Sequence, residues 1–134
     1  DSFRMRLIVP RLVERRLENA RLYNERLGTL RGITLPPATP DVKNVYWMYS
    51  ILVEDDFGAS RDTLRRHLAD HAIETRSFFV PMHLQPIYYL PENRGRFPVA
   101  EALCRKGFYL PSSASLTVDQ IDLICDKIRE LARR

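Results

Sequence analysis

The sequence predicts a small α/β domain of the α+β kind, with helices packed on a three-stranded, mixed but mainly antiparallel sheet. Residues 11–30 carry apolar side chains at three- and four-residue spacing, as one face of an amphipathic helix does. Residues 45–53 are almost continuously apolar and rich in aromatic and β-branched residues, which is typical of a buried strand. A capping signal opens a last helix, and the length of 134 residues suits one domain.

The beginning of the chain divides into two parts. Residues 1–10 carry few signals, so we expect an irregular or truncated start, followed by one domain over residues 11–134. The helix predicted over 11–31 has one apolar face, formed by Val13, Leu17, Ala20, Tyr23, Leu27 and Leu30. The prolines within residues 36–40 then exclude helix, because proline lacks the amide proton, and predict an extended connector.

The middle of the chain alternates between strands and helices. After the strand at 45–53 and a turn, Ser60 is placed to cap a helix that ends near Asp70 or His71. Residues 73–80 read as a second strand. Residues 81–96 form a long loop with several prolines, and a loop of this length in a compact domain is usually functional.

The last third contains a helix, a strand and a helix. Pro98 suits the first turn of a short helix that ends at Gly107, and residues 108–110 form the third strand. Thr117 and Gln120 have capping-box spacing at the start of the final helix. Its buried stripe is predicted to be Ile121, Ile124, Cys125, Ile128 and Leu131.

Composition argues against several classes of protein. The net charge is +4, but many arginines stand beside acidic residues, which predicts a solvated helix surface rather than a nucleic-acid interface. No apolar run is long enough to cross a bilayer, and the start has no signal-peptide pattern. Cys104 and Cys125 form no CxxC pair, so we expect free thiols and a cytoplasmic protein.

Two histidines have the spacing of a possible metal-binding pair. His67 and His71 are four residues apart on one predicted helix and could share a metal ion. The sequence shows no third ligand, so we predict a surface histidine pair and no metal. No nucleophile elbow and no glycine-rich phosphate loop is present either, and no catalytic residue is assigned.

The segment that carries most chemistry is residues 75–88, at the exit of a predicted strand. It contains a cation, an imidazole, an amide and a phenol, namely Arg76, His83, Gln85 and Tyr88. Arg76 could pair with a phosphate, and His83 could donate to a phosphate or sugar oxygen. The alternative is that His83 and Tyr88 only satisfy backbone groups of a proline-rich loop.

This segment resembles the DegT-type sugar-nucleotide aminotransferases. The similar residues are Ala72-Ile73-Glu74-Thr75-Arg76, Phe78-Phe79, Pro81-Met82-His83-Leu84-Gln85-Pro86 and Tyr88. Further segments agree in the same order, at residues 13–23, 45–49, 97–101, 110–112 and 116–117. Within the family, the loop is most similar to that of perosamine synthases.

The resemblance implies the C-terminal small domain of an aspartate-aminotransferase-like enzyme, with residues 11–31 as the helix that links the large and small domains. Family members are usually homodimers that use pyridoxal phosphate (PLP) to transfer an amino group to a nucleotide-linked keto-sugar. Arg76, His83, Gln85 and Tyr88 are then expected to line the substrate site. Ser2-Phe3-Arg4-Met5 matches only the end of a cofactor-binding segment of the family, with serine where asparagine is expected, and Ser2 and Arg4 are the candidates for cofactor contact. Ala72 stands where the family prefers glycine.

The cofactor lysine of the family lies upstream of everything that this chain matches. None of Lys43, Lys106 and Lys127 stands in its sequence context, so we expect no covalently bound PLP and no activity from this chain alone. Whether the chain is itself an enzyme therefore stays open. The alternative is a non-catalytic dimerisation or binding module.

Overall fold

A computed structural model describes residues 2–93 and 95–133, with side chains from residue 8 onward. Four helices and four strands lie within these ranges. Their order is α1 (Ser2–Leu27), β1 (Ile33–Thr34), β2 (Tyr49–Val53), α2 (Arg61–Asp70), β3 (Arg76–Ser77), α3 (Pro98–Lys106), β4 (Gly107–Leu110) and α4 (Val118–Arg129). The predicted α+β class is therefore confirmed.

The sheet has four strands rather than the predicted three, in the order β1-β2-β4-β3, and all neighbouring pairs are antiparallel. The additional strand, β1, pairs Ile33 with Val53 at the end of β2. A two-residue strand has no periodicity to detect, which is why the sequence did not reveal it.

Strand β2 begins four residues later than predicted from the apolar run at 45–53. Tyr46 has a φ of 46°, in the left-handed region, and its N–H donates to Asn44 Oδ1 at 2.8 Å, which turns the chain before the strand. Trp47 then lies on the surface, 65% exposed. The apolar run at 45–53 thus contains both the buried strand β2 and, before it, the exposed side chain of Trp47.

The predicted start and end of the first helix are wrong. Helix α1 covers residues 2–10, which we expected to be irregular, and it ends at Leu27 rather than near residue 31. Pro10 lies inside it and leaves one carbonyl without its helical donor. The strand predicted at 73–80 is likewise reduced to Arg76–Ser77.

Helix α2 ends in a Schellman motif. The N–H groups of Ala72 and Ile73 donate to the carbonyls of Ala69 and Leu68, at 2.9 and 3.0 Å. This places Ala72 in the left-handed region, with a φ of 60°. Only glycine adopts that conformation without steric cost, so the alanine is strained by about 1–2 kcal/mol.

The other helix starts agree with the sequence. The Thr117 side chain accepts from the N–H of Gln120 at 3.2 Å, and the Gln120 side chain accepts from the N–H of Thr117 at 3.0 Å, which completes the capping box. Pro98 occupies the first turn of α3. Both features act locally, so the sequence alone was sufficient to predict them.

The core lies on one face of the sheet, where α1, α2 and α4 pack. Tyr23 of α1 stacks on Tyr49 of β2 with ring centroids 4.6 Å apart. Other fully buried side chains include Leu27, Ile51, Leu64, Leu68, Phe108, Ile121 and Ile128. Helix α3 lies beside Leu52, on the opposite face, and buries none of its residues. Much of this second face, and much of the segment that precedes α3, is therefore exposed to solvent.

Candidate functional site

Arg76 lies in a cleft of about 260 Å³ on the open side of the sheet. Trp47 and Tyr109 provide aromatic walls, and Ser112 and Glu74 add polar groups. The Arg76 guanidinium lies 3.7 Å from the Glu74 carboxylate but is 74% exposed, so an anion can reach it. Cation, hydroxyl and aromatic surface together suit a ligand that carries both phosphate and ring systems.

The wall containing Trp47 is fixed from two directions. Its carbonyl accepts from Arg16 Nη1 at 3.0 Å and from Ser112 Oγ at 3.1 Å. These bonds join α1 and the segment after β4 to the turn before β2. The indole itself remains at the surface and is available to a ligand.

His83 lies in a short 3₁₀ turn, Met82–Leu84, and not in the Arg76 cleft. Its Nε2 atom lies 3.0 Å from Glu101 Oε1, and its ring packs on Phe97 with centroids 4.6 Å apart. The imidazole is largely buried. The geometry therefore gives His83 a protein partner in place of the phosphate or sugar oxygen considered from sequence.

Glu101 is the last residue of the segment 97–101, to which the sequence assigned no functional role. It lies in the first turn of α3 and also accepts from the Gly95 N–H at 3.1 Å. The hydrogen bond from His83 lowers the pKa of Glu101 below its ordinary value of 4.5. We call this arrangement the His83–Glu101 clasp; it ties both ends of the long loop to α3.

Gln85 and Tyr88 follow His83 on the loop. Gln85 Nε2 donates to the Val80 carbonyl at 3.1 Å, which closes the loop on itself. The Tyr88 N–H donates to the Gln85 carbonyl at 2.9 Å, while its side chain is exposed. Neither residue lines the Arg76 cleft, so the four predicted residues occupy two neighbouring segments rather than one cavity.

A second group of polar side chains lies at the ends of α2 and α4. His67 Nε2 is 2.9 Å from Glu130 Oε2, and the His67 and His71 rings have centroids 4.6 Å apart. One ligand atom from each of the three residues lies within 4.8 Å of the others. The sequence offered no third ligand for the histidine pair; Glu130 supplies one, from a helix that is distant in the chain.

Comparison with known proteins agrees with the fold and identifies the family. Residues 7–129 match the DegT/DnrJ/EryC1/StrS aminotransferase family. This chain belongs to that family. The GDP-perosamine synthase of Escherichia coli O157:H7 is 38% identical over 118 residues, which are 88% of this chain and 31% of that enzyme. The family resemblance read from the sequence is thereby confirmed.

Two comparisons concern Streptomyces venezuelae. Its dTDP-3-amino-3,4,6-trideoxy-alpha-D-glucose transaminase is 36% identical over 124 residues, covering 90% of this chain and 31% of that enzyme. The crystal structure of DesV in complex with a ketimine intermediate has a TM-score of 0.84 at 34% identity, covering 98% of this chain and 35% of that chain. The chain thus spans about a third of the length of the relatives it matches.

PLP is the cofactor of this family, and each of the three lysines of the chain is either paired with a carboxylate or exposed. A Schiff-base lysine needs a free amine held in a pocket. Lys106 Nζ instead bonds Glu54 Oε2 at 2.7 Å, which raises the pKa of the Lys106 ammonium. Lys127 pairs with Glu130 at 2.7 Å, and Lys43 is exposed.

Ser2 and Arg4, the sequence-based candidates for cofactor contact, lie in the first turns of α1. Their side chains fall outside the described part of the chain, so their role stays a prediction. Cys125 is also unsuited to nucleophilic chemistry, since burial raises the pKa of its thiol to about 12. No helix in the described residues is long and apolar enough to cross a membrane.

Proposed function

We propose that this chain forms the small domain of a PLP-dependent aminotransferase that acts on a nucleotide-linked keto-sugar. The observation that carries the proposal is the Arg76 cleft, where an exposed guanidinium lies between the aromatic side chains of Trp47 and Tyr109. A guanidinium is suited to phosphate, and an aromatic face is suited to a nucleobase. The relatives named above include enzymes of GDP- and dTDP-linked sugars, which support the same substrate class.

We assign the four predicted residues different roles within this proposal. Arg76 contacts the diphosphate. Gln85 and Tyr88 present an amide and a phenol along the edge of the sugar site. His83 acts through Glu101, since their bond holds the loop that carries Gln85 and Tyr88. His83 is then a positioning residue rather than a direct ligand of the sugar.

Transfer of the amino group needs a lysine that this chain does not offer. PLP supplies the electron sink for such a reaction. We therefore propose that the chain alone has no transaminase activity and that a lysine-bearing domain completes the active site. We also propose that the complete enzyme is a homodimer in the cytoplasm. After borohydride reduction of the chain with PLP, we expect no stoichiometric adduct. An adduct on Lys43, Lys106 or Lys127 would overturn this part of the proposal.

Binding of the nucleotide tests the Arg76 cleft directly. The chain is titrated with GDP and with dTDP while Trp47 fluorescence or heat is measured. We expect Arg76→Ala to weaken binding about tenfold or more, because it removes a charge-assisted contact. Arg31→Ala is the matched control, since Arg31 and Arg76 are both 74% exposed and Arg31 pairs with Asp56 instead. Equal binding by both variants would contradict the proposal.

A non-catalytic dimerisation or binding module is the second candidate function. It is favoured by apolar side chains on the surface, which include Ile8, Val9 and Leu12 on α1 and Phe79, Ile87 and Val99 around the open face. Apolar surface of this kind drives association. Sedimentation of the chain over a range of concentrations tests this candidate, and a monomer throughout would count against it.

A further inference from the structure

The helical spacing of His67 and His71 places both side chains on the same face of α2. Residues four apart lie on one face of a helix, so His67 in the last turn and His71 at the C-cap face the same way. Their ring centroids are 4.6 Å apart. Two imidazoles at this spacing provide two nitrogen ligands on a single short segment.

The third donor is placed by the core. Glu130 is the C-cap of α4, and α4 packs against α2 through buried side chains of both helices, among them Leu64, Leu68 and Ile128. This packing brings Glu130 Oε2 to 2.9 Å from His67 Nε2. A ligand atom from each of the three residues then lies within 4.8 Å of the other two.

Outer contacts hold two of these donors in a ligating orientation. His71 Nδ1 lies 2.8 Å from the His67 carbonyl and donates its proton there, which leaves the lone pair on Nε2. Lys127 Nζ donates to Glu130 Oε1 at 2.7 Å, and the other carboxylate oxygen, Oε2, faces the histidines. Metal-bound histidines and carboxylates typically have outer partners of this kind.

We propose that His67, His71 and Glu130 bind a divalent transition-metal ion of the zinc class. Two imidazoles and one carboxylate are ligands of that class, rather than of magnesium or calcium, which prefer oxygen. A tetrahedral zinc with bonds of about 2.0–2.1 Å separates its ligands by about 3.3 Å. The ion therefore fits between His67 Nε2 and Glu130 Oε2 after a small widening, and a small shift of the exposed His71 side chain brings its Nε2 to the ion.

Metal binding displaces one proton, the one that His67 Nε2 carries. His67 Nε2 now shares a proton with Glu130, and the metal takes the place of that proton. The proton moves to Nδ1 in the other tautomer or, from an imidazolium, is released to solvent. The bound ion connects the ends of α2 and α4 and leaves a remaining position for water. This site is separate from the Arg76 cleft, so it does not depend on the proposed function.

Calorimetric titration of the metal-stripped chain with zinc chloride tests the proposal. We expect one zinc per chain and a higher thermal unfolding midpoint when zinc is bound. His71→Asn and Glu130→Gln should each weaken binding by at least about tenfold, because even an outer-shell partner is worth about 10–100-fold in metal affinity. Cobalt in place of zinc gives an absorption band that reports the low coordination number.

Two matched controls separate this site from other zinc ligands. Asp126→Asn removes a carboxylate one turn earlier on α4, where it pairs with Arg129, and Cys104→Ser removes the partly buried thiol. Both variants should bind zinc like the unmodified chain. The proposal is overturned if the unmodified chain binds no zinc, or if His71→Asn and Glu130→Gln bind it as tightly as the controls do.

Discussion

His83 and His67 each pair with a glutamate from another helix, and their N–O distances of 3.0 and 2.9 Å are nearly equal. Their surroundings differ. The side chains of His83 and Glu101 are 10% and 23% exposed, and Phe97 covers the imidazole. Those of His67 and Glu130 are 22% and 45% exposed, with His71 beside them.

The difference shows that surroundings, rather than residue types, decide what such a pair does. The covered pair joins a loop to a helix, and Phe97 packs against its imidazole. The open pair leaves ligand atoms accessible and has a second histidine next to it. We infer that the first is a structural clasp for the long loop and the second is a place where an ion can bind.

The largest expected effect is at the clasp. His83→Ala removes the hydrogen bond and the packing on Phe97, and we expect a loss of about 1–3 kcal/mol in the free energy of unfolding. Chemical denaturation measures this loss. Limited proteolysis should show faster cleavage within residues 81–96. A stability equal to that of the unmodified chain would mean that His83 has no structural role, and it would favour a direct contact between His83 and the substrate.

Next in size is the strained residue beside the open pair. Ala72→Gly relieves the left-handed conformation and, after the entropy of the added glycine is counted, should stabilise the chain by about 0.5–1 kcal/mol. Ala69→Gly is the control, since Ala69 is an exposed helical residue and its replacement should destabilise by about 1 kcal/mol. Thermal unfolding of both variants should give opposite shifts, and shifts of the same sign would exclude the strain.

Acid should weaken the clasp through Glu101. The pKa of Glu101 is lowered in the folded state, chiefly by His83, so its contribution to stability is present above the unfolded pKa near 4.5 and disappears as the pH falls through the lower folded pKa. Denaturation at several pH values between about 5 and 3 measures this loss. Glu101→Gln should make the curve shallower over that range; an unchanged slope would contradict the assignment.

The smallest expected effect is at the open pair without metal. His67→Asn should change stability by about 0.5 kcal/mol or less, as is usual for surface substitutions. Chemical denaturation in a chelating buffer measures the change in the free energy of unfolding, and the value is compared with that of His83→Ala. A loss as large as that of His83→Ala would remove the distinction between the two pairs.

The sequence predicted the elements whose signals are local. The capping box at Thr117, the proline start of α3 and the amphipathic stripe of α1 all depend on neighbours within a few residues. Strand limits were predicted less well. Tyr46 and Trp47 belong to an apolar run but leave the sheet, because a turn at Asn44 redirects the chain, and periodicity does not report such a turn.

For the candidate sites, sequence found single residues but not their partners. Arg76, His83, Gln85 and Tyr88 were recognised from one segment, and His67 and His71 from helix spacing. The pairing of His83 with Glu101, and of His67 with Glu130, joins residues 18 and 63 positions apart. No rule of local spacing connects residues so distant in the chain.

By itself, the sequence determined the α+β class, the starts of α2, α3 and α4, and the family, because each is recorded in short patterns of polarity, caps and motif residues. The tertiary structure alone decided which side chains meet. Packing of α4 on α2 and of the long loop on α3 depends on contacts across the whole chain, and those contacts determine which histidine is enclosed and which remains open.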